Sequence, residues 1–202
     1  MRIFRPPELG ELFLSSAFNK AQLIPIDKQN NTQVGLIKNI FVQSELELIS
    51  EAFDKCTYTE MPAQSHLGRK QILDFFPVMK LNVFNQAILP KINKLMGSNF
   101  TTIKPILWED AEGYKLTMHK DDFGGSEFTG ALQIYLPSTC QQSAGTRFYA
   151  DINKGPDDAV LDVPFIPNTG YICTECDNIV HSSGLPVEKG LYRRSLYLIL
   201  TK

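Results

Sequence analysis

The chain has 202 residues and carries 20 Lys and Arg against 22 Asp and Glu, a formal charge of −2. That length is enough for a substantial core, and one domain over 1–202 is the expectation. The slightly acidic balance, with no Lys/Arg block, argues against non-specific nucleic-acid binding, which needs a basic surface to neutralise phosphates.

The opening Met1-Arg2-Ile3-Phe4-Arg5-Pro6-Pro7 lacks the apolar run of a signal peptide. No stretch approaches the ~20 apolar residues that span a bilayer. A soluble, cytoplasmic protein without membrane association is therefore expected. Gln22-Leu23-Ile24-Pro25-Ile26 predicts a short edge strand, because proline cannot donate to a ladder on both sides, and Asn30-Asn31 marks a turn. Ser44-Glu45-Leu46-Glu47 is a capping box opening a helix on which Leu46, Ile49 and Phe53 share a face. The polar run Met61 to Lys70, with His66, Arg69 and Lys70, reads as a solvated loop before a second helix. That helix is predicted from about Val78 to Leu95, with Val83, Phe84, Ile88, Ile92 and Leu95 apolar. Pro90 is expected to kink or split it, and Gly97 fits its C-terminal cap.

From residue 101 the pattern changes to short β-rich runs near 101–108, 113–121, 129–136, 146–150, 158–165, 170–174 and 191–200. Glu109 and Asp110, in Trp108-Glu109-Asp110-Ala111-Glu112-Gly113, read as solvated turn acids. Leu132, Ile134 and Leu136 alternate with Gln133 and Tyr135, so one face of that strand should meet the helices and the other a pocket. The expected architecture is mainly β: a double-stranded β-helix (jelly-roll) barrel buttressed by N-terminal helices within a helical part over 1–100. Cys173-Thr174-Glu175-Cys176 has C-x-x-C spacing, but Cys56 and Cys140 are isolated, so buried thiols are expected rather than a zinc site.

Two of the three histidines fall in a constellation that carries chemistry. It consists of His119-Lys120-Asp121, then His181, then Arg193-Arg194-Ser195. Residues two apart on a strand point the same way, so His119 and Asp121 can face one metal while Lys120 faces out. Two imidazoles and one carboxylate grip one face of a divalent iron ion and leave the other face open. Asp122 is a rival carboxylate that strand parity turns away from His119. The same parity puts Arg193 with Ser195, where a guanidinium and a hydroxyl could hold the far carboxylate of a dicarboxylic co-substrate, and turns Arg194 to the other side. A bulge near Gly190 would exchange the two arginines. Gln133 and Tyr135 are further pocket candidates. Tyr114 fits a helix-facing core position or the pocket lining, and Arg147 an exposed strand position.

With the segment Gly113 to Asp121, Ala144-Gly145-Thr146-Arg147-Phe148, His181 and Arg193 to Leu196, the chain resembles the iron(II)/2-oxoglutarate-dependent dioxygenases over residues 101 to 202. The resemblance implies metal ligands His119, Asp121 and His181, with Arg193 and Ser195 on 2-oxoglutarate and Gln133 and Tyr135 beside it. It further implies O2 as oxidant, ascorbate as an optional addition, and hydroxylation of a C–H bond of a small-molecule or peptide substrate. Within the family the run Arg193 to Lys202 does not match the nucleic-acid demethylase branch, so no nucleic-acid partner is expected. The family often covers its barrel mouth with outside loops, which offers the 61–72 segment as a lid and Arg69 and Lys70 as substrate contacts. The rival readings are a non-catalytic metal-binding barrel and a zinc or nickel site with hydrolytic or isomerising chemistry. Oligomeric state is not legible.

Overall fold

The structure, a computed structural model, describes residues 17, 20–27, 32–44, 46–47, 50, 54, 59–60, 68–72, 81–121, 128–174 and 178–202. In chain order these form β1 (Gln22–Asp27), β2 (Thr32–Lys38), β3 (Thr59–Glu60), β4 (Arg69–Ile72), α1 (Leu81–Met96), β5 (Thr102–Asp110), β6 (Phe128–Leu136), β7 (Thr146–Tyr149), β8 (Leu161–Val163), β9 (Thr169–Thr174), β10 (Val180–Ser183) and β11 (Arg193–Thr201). Eight strands make a large sheet in the order β1-β2-β9-β6-β11-β5-β4-β3, and three make a small sheet, β10-β7-β8. Every pair is antiparallel, consistent with a jelly roll.

The period-two alternation of β6 and β11 sorts their side chains onto two cores. Leu132, Ile134 and Leu136 join Leu196, Leu198 and Leu200 on the outer face, against Ile88, Leu89, Ile92 and Met96 of α1. Ala131, Tyr135 and Tyr197 face inward with Tyr171 and Cys173, against Phe148, Val163 and Phe165 on the small-sheet side. Each fully buried Leu, Ile or Phe is worth about 1.5–3 kcal/mol relative to exposure, so both faces of the large sheet are held by its central strands.

The expected helical buttress over 1–100 is corrected. That half supplies β1 to β4, which flank the large sheet on both sides, and α1 is the one helix described along its whole length. β2 escapes a sequence reading because Thr32, Val34, Gly35 and Ile37 are all buried, so no alternation marks it. β1 takes the sheet edge, as Pro25 requires. In the capping-box segment Leu46 is helical and enters the outer core, whereas Ile49 and Phe53 lie outside the described residues, as do Asn30, Asn31, His66 and Asp122. Pro90 does not split α1; it sits on the exposed side of a continuous helix. The helix ends where Gly97 takes φ 63°, and Asn93 caps the exit by accepting from the Phe100 amide at 2.9 Å.

Residues 113–121 are not the regular strand expected of them. They run alongside 181–187 with broken pairing: Gly113 N donates to Val187 O, Ser183 N to Leu116 O, and His119 and His181 form an isolated bridge. Between these points the Ser183 hydroxyl, not a backbone carbonyl, accepts the Leu116 amide at 2.7 Å. Among the described residues no helix is long and apolar enough to cross a membrane.

Candidate metal centre

The isolated bridge sets the site. His119 N donates to His181 O at 3.0 Å and His181 N returns a bond to His119 O at 2.9 Å. Two directly opposed residues carry their side chains on the same face, and the imidazoles lie 4.3 Å apart. Asp121, two residues on, brings Oδ1 to 3.4 Å from His119 Nε2 and 3.7 Å from His181 Nε2. One ligand atom from each of the three lies within 4.8 Å of the others, the sole such group of His, Cys, Asp or Glu among the described residues.

Backbone carbonyls orient both rings. His119 Nδ1 lies 2.8 Å from Thr117 O and His181 Nδ1 3.3 Å from Ile179 O. A carbonyl only accepts, so each Nδ1 carries a proton there, and in the neutral rings each Nε2 lone pair is left free to ligate beside Asp121. Burial works against charge on Asp121, but a hydrogen bond from His119 in its protonated form, the nearby His181 and the Tyr197 hydroxyl (3.4 Å from Oδ2) outweigh it and hold the carboxyl below its ordinary range. His119 is likewise opposed by burial, yet Asp121 and the Thr117 carbonyl raise its pKa. His181 is deeper, and burial lowers it despite Asp121. Two neutral-capable imidazoles and an ionised carboxylate converging on one point fit a divalent iron, nickel or similar ion.

Along the inner face of β11 follow Arg193, Ser195 and Tyr197. Arg193 is 3% exposed, and its Nε and Nη2 both donate to Asp110 Oδ2, at 2.9 and 2.7 Å. Its Nη1 donates to the carbonyls of Ala144 and Gly145. Asp110 also accepts from Arg69, at 2.6 Å from Nε to Oδ1 and 3.1 Å from Nη2 to Oδ2. Glu109 and Asp110 are thus not the solvated turn acids expected. β5 continues through both, Glu109 pairs with Arg194, and Asp110 is wholly buried between two guanidiniums. Burial would raise the Asp110 pKa, and Arg69 and Arg193 more than reverse that. Arg69, expected in a loop, lies on β4 directly opposite Asp110. Arg194 faces the other way, bonded to Glu109 and Asp54, and Arg147 pairs with exposed Asp162.

Ser195 sits between Arg193 and Tyr197 and accepts a bond from Gln133 Nε2 at 3.1 Å, while Tyr171 donates to Gln133 Oε1 at 2.5 Å. Tyr135 donates to Thr146 at 2.8 Å, and burial pushes its phenol up to about 12. Trp108 stacks on Tyr197 with ring centroids 4.4 Å apart, and the Arg69 guanidinium lies 3.9 Å from the Trp108 ring centre. Tyr114 belongs not to the helix-facing core but to a small cluster with Ala144 and Val187, its ring 4.5 Å from the Arg69 guanidinium carbon. Sequence reasoning offered Arg69 only as a loop residue or a lid contact to substrate, and it missed Asp110, Trp108, Thr146, Tyr171 and Tyr197. Extending β5 by two residues would have exposed the Asp110–Arg193 register. Cys173 is buried and Cys140 half-buried, and Cys56 and Cys176 lie outside the described residues.

No protein-family model and no curated protein matches the chain. Solved structures do. A prolyl-4-hydroxylase from Pseudomonas putida is similar with a TM-score of 0.64 at 14% identity, over 93% of this chain and 98% of that one. The epimerase SnoN from nogalamycin biosynthesis, in complex with Fe3+, alpha ketoglutarate and nogalamycin RO, gives 0.60 at 13%, over 94% and 82%. HygX from Streptomyces hygroscopicus, with nickel, 2-oxoglutarate and hygromycin B bound, gives 0.60 at 10%, over 86% and 84%. The chain therefore has the fold of iron- and 2-oxoglutarate-dependent oxygenases, and it carries a His–Asp–His cluster within that fold.

Proposed function

We propose that the protein is an iron(II)- and 2-oxoglutarate-dependent oxygenase that hydroxylates a C–H bond of a small molecule or a peptidyl residue. The observation that carries this is the convergence of His119 Nε2, His181 Nε2 and Asp121 Oδ1, with both imidazoles locked by backbone carbonyls. Bound together, iron(II) and 2-oxoglutarate would supply an oxidation in which O2 and the keto acid yield succinate, CO2 and a hydroxylated substrate. The protein's part is placement. His119, Asp121 and His181 would hold the metal, and Tyr197 steadies Asp121. Ser195, bonded to Gln133, would offer its hydroxyl to the co-substrate with Tyr135 nearby, and the buried Arg193–Asp110–Arg69 group adds one net positive charge for a carboxylate. Phe148, Phe165 and Tyr171 form a buried apolar wall, with the Phe148 ring 6.0 Å from that of His181.

The reading is tested by adding Fe(II) and then 2-oxoglutarate anaerobically to metal-free protein and watching for a visible metal-to-ligand charge-transfer band. The band should form in the parent chain and be absent in Asp121→Ala. Folded, metal-loaded protein without a band would sink the reading. Because structural neighbours include an epimerase, product analysis with a candidate substrate must find one added oxygen for hydroxylation to stand.

A further inference from the structure

The Arg69–Asp110–Arg193 cluster is not balanced. Two guanidiniums share one carboxylate in a setting where Arg69 is 5% exposed, Arg193 3% and Asp110 wholly buried. One positive charge is left without a counter-ion in the cluster, and a buried charge needs a partner. The donors left over are unequally divided. Arg193 makes four hydrogen bonds from its five N–H groups, to Asp110, Ala144 and Gly145. Among the described residues Arg69 makes two, both to Asp110. The spare donors are therefore concentrated on Arg69, a residue of β4 and not of the last strand.

Two more groups beside Arg69 want an acceptor. Among the described residues Trp108 Nε1 and the Tyr114 hydroxyl are buried without a hydrogen-bond partner, and both rings pack on the Arg69 guanidinium, with centroids 3.9 and 4.5 Å away. Tyr114 is 2% exposed, so water does not satisfy it cheaply. The place is also close to the metal centre: Arg69 packs on Trp108, Trp108 on Tyr197, and Tyr197 reaches Asp121.

We propose that Arg69, with the Tyr114 hydroxyl and the Trp108 indole N–H, forms a carboxylate-binding subsite, and that Arg193 serves chiefly to hold Asp110 and the Ala144–Gly145 backbone in place. An oxyanion there would balance the surplus charge and offer acceptors to donors that now lack one. The carboxylate comes either from the far end of 2-oxoglutarate or from an acidic prime substrate. The inference rests on the oxygenase reading for what the carboxylate belongs to, not for its being bound.

Trp108 is the sole tryptophan, so the emission of the intact chain reports on this site directly. Metal-free protein is titrated with succinate, and Zn(II)-loaded protein with 2-oxoglutarate and with 2-oxobutyrate, which lacks the far carboxylate. Succinate should shift the emission saturably, independently of any metal chemistry. Arg69→Met should abolish that response, and Arg69→Lys should weaken it. Tyr114→Phe should weaken it about tenfold, the value of one hydrogen bond to a charged group, with no loss of melting temperature, since its hydroxyl has no partner to lose. If the co-substrate is the source, 2-oxoglutarate binds at least tenfold tighter than 2-oxobutyrate and Arg69→Met removes that preference alone. If a substrate is the source, the preference survives Arg69→Met, and succinate still binds protein saturated with 2-oxoglutarate. No saturable response, or equal affinities in parent, Arg69→Lys and Tyr114→Phe, overturns the proposal even where Arg69→Met fails to fold.

Discussion

At the scale of single residues, Asp110 has the largest expected effect. Replacing it with Asn leaves Arg69 and Arg193 buried and facing each other, at a cost of about 3–5 kcal/mol. Its folded pKa is depressed, so its stabilisation is full above the ordinary carboxylate range and drains away as pH falls toward the folded value. Denaturant midpoints for parent and Asp110→Asn should therefore differ by a constant amount from about pH 5 upward and converge below about pH 4. Tyr197→Phe keeps the stack on Trp108 and removes the 3.4 Å bond to Asp121. Metal affinity, read by competition with a chelator, should fall about tenfold, the lower end for groups that orient a ligand. The His119–Asp121–His181 cluster was legible in the sequence because H-x-D spacing, a distant His and scarcity of histidine coincide there. Asp110 was not legible, because its role depends on a strand running two residues further than the turn-like Glu109-Asp110-Ala111-Glu112-Gly113 suggests.

At the scale of elements, long strands announced themselves and short or two-faced ones did not. β6 and β11 each show nine residues of alternation with different partners on the two faces. β10 is four residues, two of them serine, and its pairing with residues 113–119 is irregular, so neither partner offers a period to read. The metal centre nonetheless depends on that irregular pair, where the Ser183 hydroxyl stands in for a backbone acceptor. α1 tells the reverse story: proline signals a break, yet the ring points to solvent and the outer core holds both halves of the helix. Pro90→Ala should restore the missing amide donor and raise stability by about 1–3 kcal/mol, seen as a higher melting temperature with unchanged metal binding.

At the scale of the whole molecule, the metal site joins the two sheets. His181 belongs to the small sheet, its partner His119 is bridged to it, and Asp121 touches Tyr197 of the large sheet. A bound divalent ion would tie these layers together. An ion held at about 100 times its Kd should add about 2.7 kcal/mol to unfolding. Calorimetry with and without Ni(II) should show the rise in the parent chain, and Asp121→Ala should show none.

The strand order of the large sheet has a consequence for how the chain is made. β1 and β2 lie at one end and β4 and β3 at the other, with β9, β6, β11 and β5 between them. A ribosome delivers the outer strands first, when β9 and β5, the partners of β2 and β4, have yet to be synthesised. β1 can pair locally with β2, and β3 with β4, but β2 waits for residues 169–173 and β4 for residues 107–110 before either pair joins the sheet. Closure of the sheet therefore waits for the second half, a non-local pairing of the kind that slows folding. Once closed, the same order places the early strands as covers on what would otherwise be the bare edges of β9 and β5, so the half made first seals the half that carries His119, Asp121 and His181.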